Sequence, residues 1–148
     1  GAYQERISSI DPSLITVSVP CPKLVPLIES EPSAEVDRAL DEALREYLLT
    51  VKEAGADTLI LGCTHYPLLT EIVAEIMGPD VTLVSAGEES AFELKRLLKA
   101  NGLRADESRE GEAEFFVSDR AEDFERIASV FLQEDLRRAA RRIDIDQY

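Results

Sequence analysis

Apolar positions along the chain fall into short blocks of two periods. Tyr3, Ile7 and Ile10 share one helical face in the opening "GAYQERISSIDP", so the first residues read as the tail of a helix. A chain that starts inside a helix predicts a protein that begins further upstream. "LITVSV" (14–19) has the β-branched richness of a strand. Three prolines at 20, 22 and 26 make the next stretch a loop with about one helical turn. From Ser33, apolar residues at 36, 40, 44, 47, 48 and 51 draw a helical stripe that stops at Gly55. "TLIL" (58–61) is continuously apolar, as in a parallel strand covered on both faces.

Pro67 suits the first position of a helix running to about Met77, where Gly78-Pro79 ends it. "VTLV" (81–84) is a second short strand, and Ser85 with Glu88 forms an S-x-x-E capping box that opens a helix to about Ala100. A polar loop spans Leu103 to Gly111. "AEFFVSD" (113–119) is a strand, and Asp119 caps a helix carrying Phe124, Ile127, Ala128, Phe131 and Leu132. "RRIDID" predicts a last short strand. Strands alternating with helices through short connections define an α/β chain with a mostly parallel sheet and flanking helices.

Composition narrows the functional classes. Among 148 residues, 30 are acidic and 16 basic, for a formal net charge of −14. No basic patch is dense enough to release counterions from phosphates, which argues against nucleic acid as a partner. The pairs Arg137/Arg138 and Arg141/Arg142 are interleaved with acids and alanines and read as a solvated face. No apolar run approaches the ~20 residues of a membrane span, and no secretory pattern opens the chain. The two cysteines, Cys21 and Cys63, and one histidine are too few for a self-contained structural zinc site, which takes four ligands. Unclustered thiols of this kind are expected to stay reduced.

The chemistry concentrates in "LILGCTHYPLL" (59–69). In open α/β sheets, ligands bind beyond the carboxyl ends of the strands. Cys63 sits there, followed by Thr64, His65 and a helix expected to start near Pro67. Free N–H groups and the dipole at that helix start favour an anion, either a carboxylate or the thiolate itself. Three readings stay open on physical grounds. The thiolate attacks a carbonyl with His65 as base; or it takes a proton from carbon; or the turn only binds a carboxylate.

The G-C-T-H-Y-P run after an apolar strand resembles the signature around the second catalytic cysteine of the glutamate racemases. "CPKLVPLIES" (21–30), "SAGEESAFEL" (85–94) and "AEFFVSD" with its following helix are similar to other segments of that family, so the resemblance covers nearly the whole chain. It implies cofactor-independent interconversion of L- and D-glutamate by two cysteines. Cys63 would be one acid/base residue, assisted by His65. Thr64 and His65 match the substrate-contacting pair, and Glu29 matches an acidic position near the site. Cys21 aligns with a non-catalytic cysteine and is expected to be a packed, inert thiol.

The family is built from two pseudo-symmetric halves, each supplying one cysteine. Its first-half Asp-Ser and Cys-Asn-Thr do not occur here. The resemblance therefore implies the C-terminal part of a racemase about twice this length, inactive alone. Residues 1–86 would be the second α/β domain without its first strand, and 87–148 would complete the first domain. Phe115, Phe116, Phe124 and Phe131 would then be left partly uncovered. Implied partners are glutamate and the missing N-terminal half. Family members are often homodimers, and a cytoplasmic bacterial location, with D-glutamate feeding peptidoglycan, belongs to the same expectation. The alternatives are an aspartate racemase of the same superfamily, which fits His65 and the Tyr-Pro less well, and a Cys/His thiol hydrolase.

Overall fold

Residues 1–106, 108, 111–132, 134–136 and 140–147 are described by a computed structural model of the chain. The fold is α/β, built on parallel strand pairs with flanking helices. The chain divides into two compact units, residues 1–94 and 95–148, with the division falling inside a helix.

The first unit opens with α1 (Ala2–Ile10) and then passes through irregular backbone to the short α2 (Leu24–Glu29). The strand expected over 14–19 is not formed. Its residues join no ladder, and Ile15 is 95% exposed. Strand propensity alone leaves the backbone groups unpaired, so a β-rich segment without a neighbour stays irregular.

Helix α3 (Ala34–Glu53) is the longest element. The Ser33 side chain caps it by accepting the Val36 N–H at 3.2 Å. At the other end Gly55, with φ of 67°, allows Ala56 N–H to reach the Val51 carbonyl and its own N–H to reach Lys52, which closes the helix as a Schellman motif. The buried face carries Leu44, Leu48 and Val51 as the stripe predicts, together with Ala43.

Strand β1 (Thr58–Leu61) leads through a 3₁₀ turn (Tyr66–Leu69) into α4 (Thr70–Met77) and then β2 (Thr82–Ser85). The two strands pair in parallel, with Leu61 opposite Ser85. This is a βαβ unit, and the carboxyl ends of both strands lie at one edge. Leu24, Leu44, Leu48, Val51, Leu61, Leu69, Val73 and Met77 form its core. The β1 cover is one-sided: Leu61 is buried, Leu59 and Ile60 are half-buried and Thr58 is exposed. Lys52 ties the two longer core helices together by donating to the Ile76 carbonyl at 2.7 Å, a cation on the last turn of α4.

Helix α5 (Ala86–Ala100) begins where β2 ends, and the Ser85 hydroxyl accepts the Glu88 N–H at 3.3 Å. The second unit then holds β3 (Phe115–Val117), α6 (Ala121–Leu132) and β4 (Ala140–Arg142), another parallel βαβ arrangement. Phe115 and Phe124 bring their ring centroids to 5.8 Å, while Phe116 and Phe131 remain exposed. The Asp119 carboxylate holds the Arg120 N–H at 2.9 Å, one step ahead of the helix it was expected to cap directly. Arg141 and Arg142 are exposed; Arg137 and Arg138 lie outside the described residues.

Candidate active site

Gly62 ends β1's run and the backbone turns at once. The Tyr66 N–H bonds the Cys63 carbonyl at 3.2 Å, and the Leu68 N–H bonds the His65 carbonyl at 3.2 Å. These bonds make a tight turn that holds Cys63, Thr64 and His65 at the strand's carboxyl end. The helix expected at Pro67 starts later. Pro67 is the second residue of the 3₁₀ turn, and α4 begins at Thr70. Proline removes an N–H and fixes φ, so the first turn winds tighter before the α geometry takes over. The turn itself consumes N–H donors, such as that of Leu68, that a helix start at Pro67 would leave for an anion.

The Cys63 and Thr64 side chains converge on the His65 imidazole. Cys63 Sγ lies 3.9 Å from His65 Nδ1, and Thr64 Oγ1 lies 3.4 Å from the same nitrogen. On the other side of the ring, His65 Nε2 lies 2.9 Å from Glu29 Oε1. An ionised carboxylate only accepts, so a bond to Glu29 puts a proton on Nε2. Nδ1 is then an acceptor toward the thiol in the neutral ring, and a donor toward a thiolate in the imidazolium. The row carboxylate, imidazole, thiol is a route for holding and moving one proton at Cys63.

Burial grades the group. His65 is 21% exposed and Glu29 41%; Cys63 is half-buried and Thr64 exposed. Glu29 is brought in by α2, of which it is the last residue. Its helix is pinned by buried Leu24 and packs against α3. Sequence spacing of 36 residues between Glu29 and His65 gave no local signal for this contact.

Cys21 takes a different place. It is half-buried against the core, and its thiol donates to the Val19 carbonyl at 3.3 Å. Burial pushes the Cys21 thiol up, while a hydrogen bond from Tyr66 acts the other way. Both cysteines are free. The Tyr66 hydroxyl is pushed up to about 12, chiefly by burial and then by the neighbouring thiols of Cys21 and Cys63. Tyr3 is a further neighbour. Its ring lies so near Gly62 that an added Cβ there would sit 3.2 Å from Cε2. The Tyr3–Gly62 contact was not read from the sequence, in which the two residues lie far apart. Among the described residues, no three His, Cys, Asp or Glu side chains are grouped to hold a metal ion, and no helix is long and apolar enough to cross a membrane.

An α/β protein with a thiol, an imidazole and a carboxylate in one row beyond a parallel strand belongs among proteins equipped for thiol-based proton transfer or attack. No family model matches the chain. Individual proteins do. A glutamate racemase of Exiguobacterium sibiricum is 38% identical over 134 residues, 89% of this chain and 48% of that protein. One from Geobacter metallireducens is also 38% identical, over 132 residues. Among solved structures, a Bacillus anthracis glutamate racemase isoform superposes with a TM-score of 0.85 at 32% identity, covering 97% of this chain and 52% of that one. The Francisella tularensis enzyme in complex with D-glutamate gives 0.80 at 29% identity, covering 99% and 54%. Over about nine tenths of its length the chain is similar to glutamate racemases, and it spans about half the length of the curated relatives it matches.

Proposed function

We propose that this chain supplies one of the two proton-transferring faces of a cofactor-independent glutamate racemase. The observation that carries the reading is the row Glu29, His65, Cys63 at the carboxyl end of β1, in a homologue of those enzymes. Racemisation removes the α-hydrogen from one face of the amino acid and returns a proton to the other. One base does not reach both faces, so two groups must flank the α-carbon.

Cys63 is the group on one side. As thiolate it accepts the α-proton of one enantiomer; as thiol it returns a proton when the other enantiomer reacts. His65 holds the compensating proton at Nδ1, and Glu29 fixes the ring through Nε2. Thr64, exposed beside the ring, contacts the substrate in this reading. Cys21 does not serve as the second base, because its half-buried thiol is given to the Val19 carbonyl. The opposing group comes from outside these residues, from an N-terminal half carrying the first cysteine. In that arrangement residues 1–86 form most of one domain and 87–148 complete the other. The homodimer, the cytoplasmic bacterial setting and the supply of D-glutamate to peptidoglycan belong to the same reading.

The test is α-carbon exchange in heavy water. A polypeptide supplying both halves should wash deuterium into glutamate from either enantiomer. A thioester trapped on Cys63 by an acyl substrate, without deuterium entry, would instead establish a thiol acyl-transfer enzyme.

A further inference from the structure

The Glu29 carboxylate reaches His65 from the end of a helix too short to hold its own position. Helix α2 has six residues, of which Glu29 is the last, and a helix of that length is marginal without tertiary support. Leu24 is buried, and Leu27 and Ile28 pack against the same core. Apolar contact is non-directional. It decides which face of α2 turns inward, but sets less firmly where the helix lies along α3. A slide of about 1 Å along the bond would take the 2.9 Å Glu29–His65 contact out of hydrogen-bond range.

Directional contacts gather at the other end of α2. Lys23 precedes the helix, and its backbone and side chain are both engaged. Its N–H donates to the Tyr47 hydroxyl at 3.4 Å, its carbonyl accepts the Leu27 N–H at 3.3 Å, and Nζ donates to Glu46 Oε2 at 2.7 Å. The ammonium also stands 5.8 Å from the centre of the Tyr47 ring, within cation–π reach. Glu46 and Tyr47 are neighbours on α3, and Tyr47 is half-buried against the core. One residue thus splices the start of α2 to a fixed point on the longest helix.

We infer that Lys23, Tyr47 and Glu46 are positioning residues, which lock the register of α2 on α3 and so deliver the Glu29 carboxylate to His65. This rests on the racemase reading only for the reaction that the carboxylate serves. The Lys23 and Glu46 side chains are 56% and 61% exposed, and an ion pair so exposed adds little to stability. Its effect is on placement: a weak but directional bond, set at the start of a short helix, selects one register among several of similar apolar contact. None of the three residues needs to touch substrate.

The experiment uses the polypeptide that supplies both halves. It reads deuterium wash-in from the enantiomer whose α-hydrogen faces Cys63, and the ring NMR signal of His65, assigned by its loss in His65→Gln. Tyr47→Phe removes only the hydroxyl that accepts the Lys23 N–H. It should slow wash-in about two- to tenfold, the range set by losing one net hydrogen bond, and move the His65 signal toward its position in Glu29→Gln, with the folded fraction unchanged. Lys23→Ala, which removes the ammonium, should act in the same direction. Added to Glu29→Gln, Tyr47→Phe should cost nothing further, because the lock acts through that carboxylate. A His65 signal and a rate both unmoved in Tyr47→Phe overturn the inference; where that variant does not fold, Lys23→Ala decides in the same way. So does a loss on top of Glu29→Gln as large as the loss alone. If the unaltered polypeptide washes no deuterium into glutamate, the racemase reading falls, and the His65 signal still decides the lock.

Discussion

His65 Nε2 stands 2.9 Å from Glu29 Oε1, while Nδ1 of the same ring faces the Cys63 thiol at 3.9 Å. The two nitrogens thus have different tasks, one fixed by a carboxylate and one left toward the thiol. Replacing Glu29 by Gln keeps the size and one hydrogen bond but removes the charge that stabilises an imidazolium. In a polypeptide supplying both halves, Glu29→Gln should slow α-proton exchange by about tenfold or more, with little change in the folded fraction. Steady-state racemisation beside a thermal melt checks this, and an unaltered rate would remove Glu29 from the relay.

Cys63 carries an asymmetric expectation. Cys63→Ala should abolish deuterium wash-in from the enantiomer whose α-hydrogen faces it. Cys63→Ser, with a far weaker acid, should lower that exchange by roughly two to four orders of magnitude. Exchange followed separately from D- and L-glutamate decides the point. Equal, unimpaired exchange from both would show that the base is another residue.

The 148-residue chain by itself should not interconvert glutamate, because its other thiol, Cys21, is half-buried and given to the Val19 carbonyl. A polarimetric or coupled assay on the purified chain checks this. Sustained turnover would mean that both proton-transferring groups lie within these residues.

Alkaline stability follows from Tyr66 and Cys21. Both have their values raised in the fold, Tyr66 to about 12 and Cys21 above its ordinary 9.0. A raised value means the folded state prefers the neutral form. The stabilisation from Tyr66 is therefore complete below about 10, its ordinary value, and fades as pH rises through about 12. Tyr66→Phe should remove the latest step of phenolate absorbance and flatten the alkaline loss of stability. An absorbance titration run with a circular-dichroism melt at each pH measures both.

Stability of the first unit should depend on the α3 face. Leu44, 2% exposed, leaves a cavity when cut back, so Leu44→Ala should cost about 2–5 kcal/mol. Ser33→Ala removes the cap on Val36 N–H and should cost about 1 kcal/mol. Urea unfolding of the two variants gives the comparison, and a Ser33 loss equal to that of Leu44 would contradict the packing described.

Much of this was legible in the chain because it is local. The α3 stripe, its Ser33 cap and Gly55 stop, the β1 run and the Ser85 cap all follow from period and end chemistry within a few residues. What the sequence did not show depends on partners. The segment 14–19 has strand composition, yet a ladder needs a neighbour that composition does not name. Pro67 announces a helix, but the tighter 3₁₀ winding that its missing N–H and fixed φ impose on the first turn is not visible in the residue pattern. Within the site, Cys63, Thr64 and His65 lie side by side in sequence and were visible together. Glu29 was indicated by family likeness alone, since only the packing of α2 brings it to His65.

The ring of Tyr3 against Gly62 has a consequence for how substitutions accumulate. A methyl at 62 would meet the edge of that ring at 3.2 Å, and a half-exposed side chain such as Tyr3 is free to swing away. Position 62 therefore measures the clearance between α1 and the strand end. Enlarging it should be tolerated when position 3 is small and should force the ring aside when it is aromatic, so the two sites, far apart in the first unit's sequence, are expected to change together.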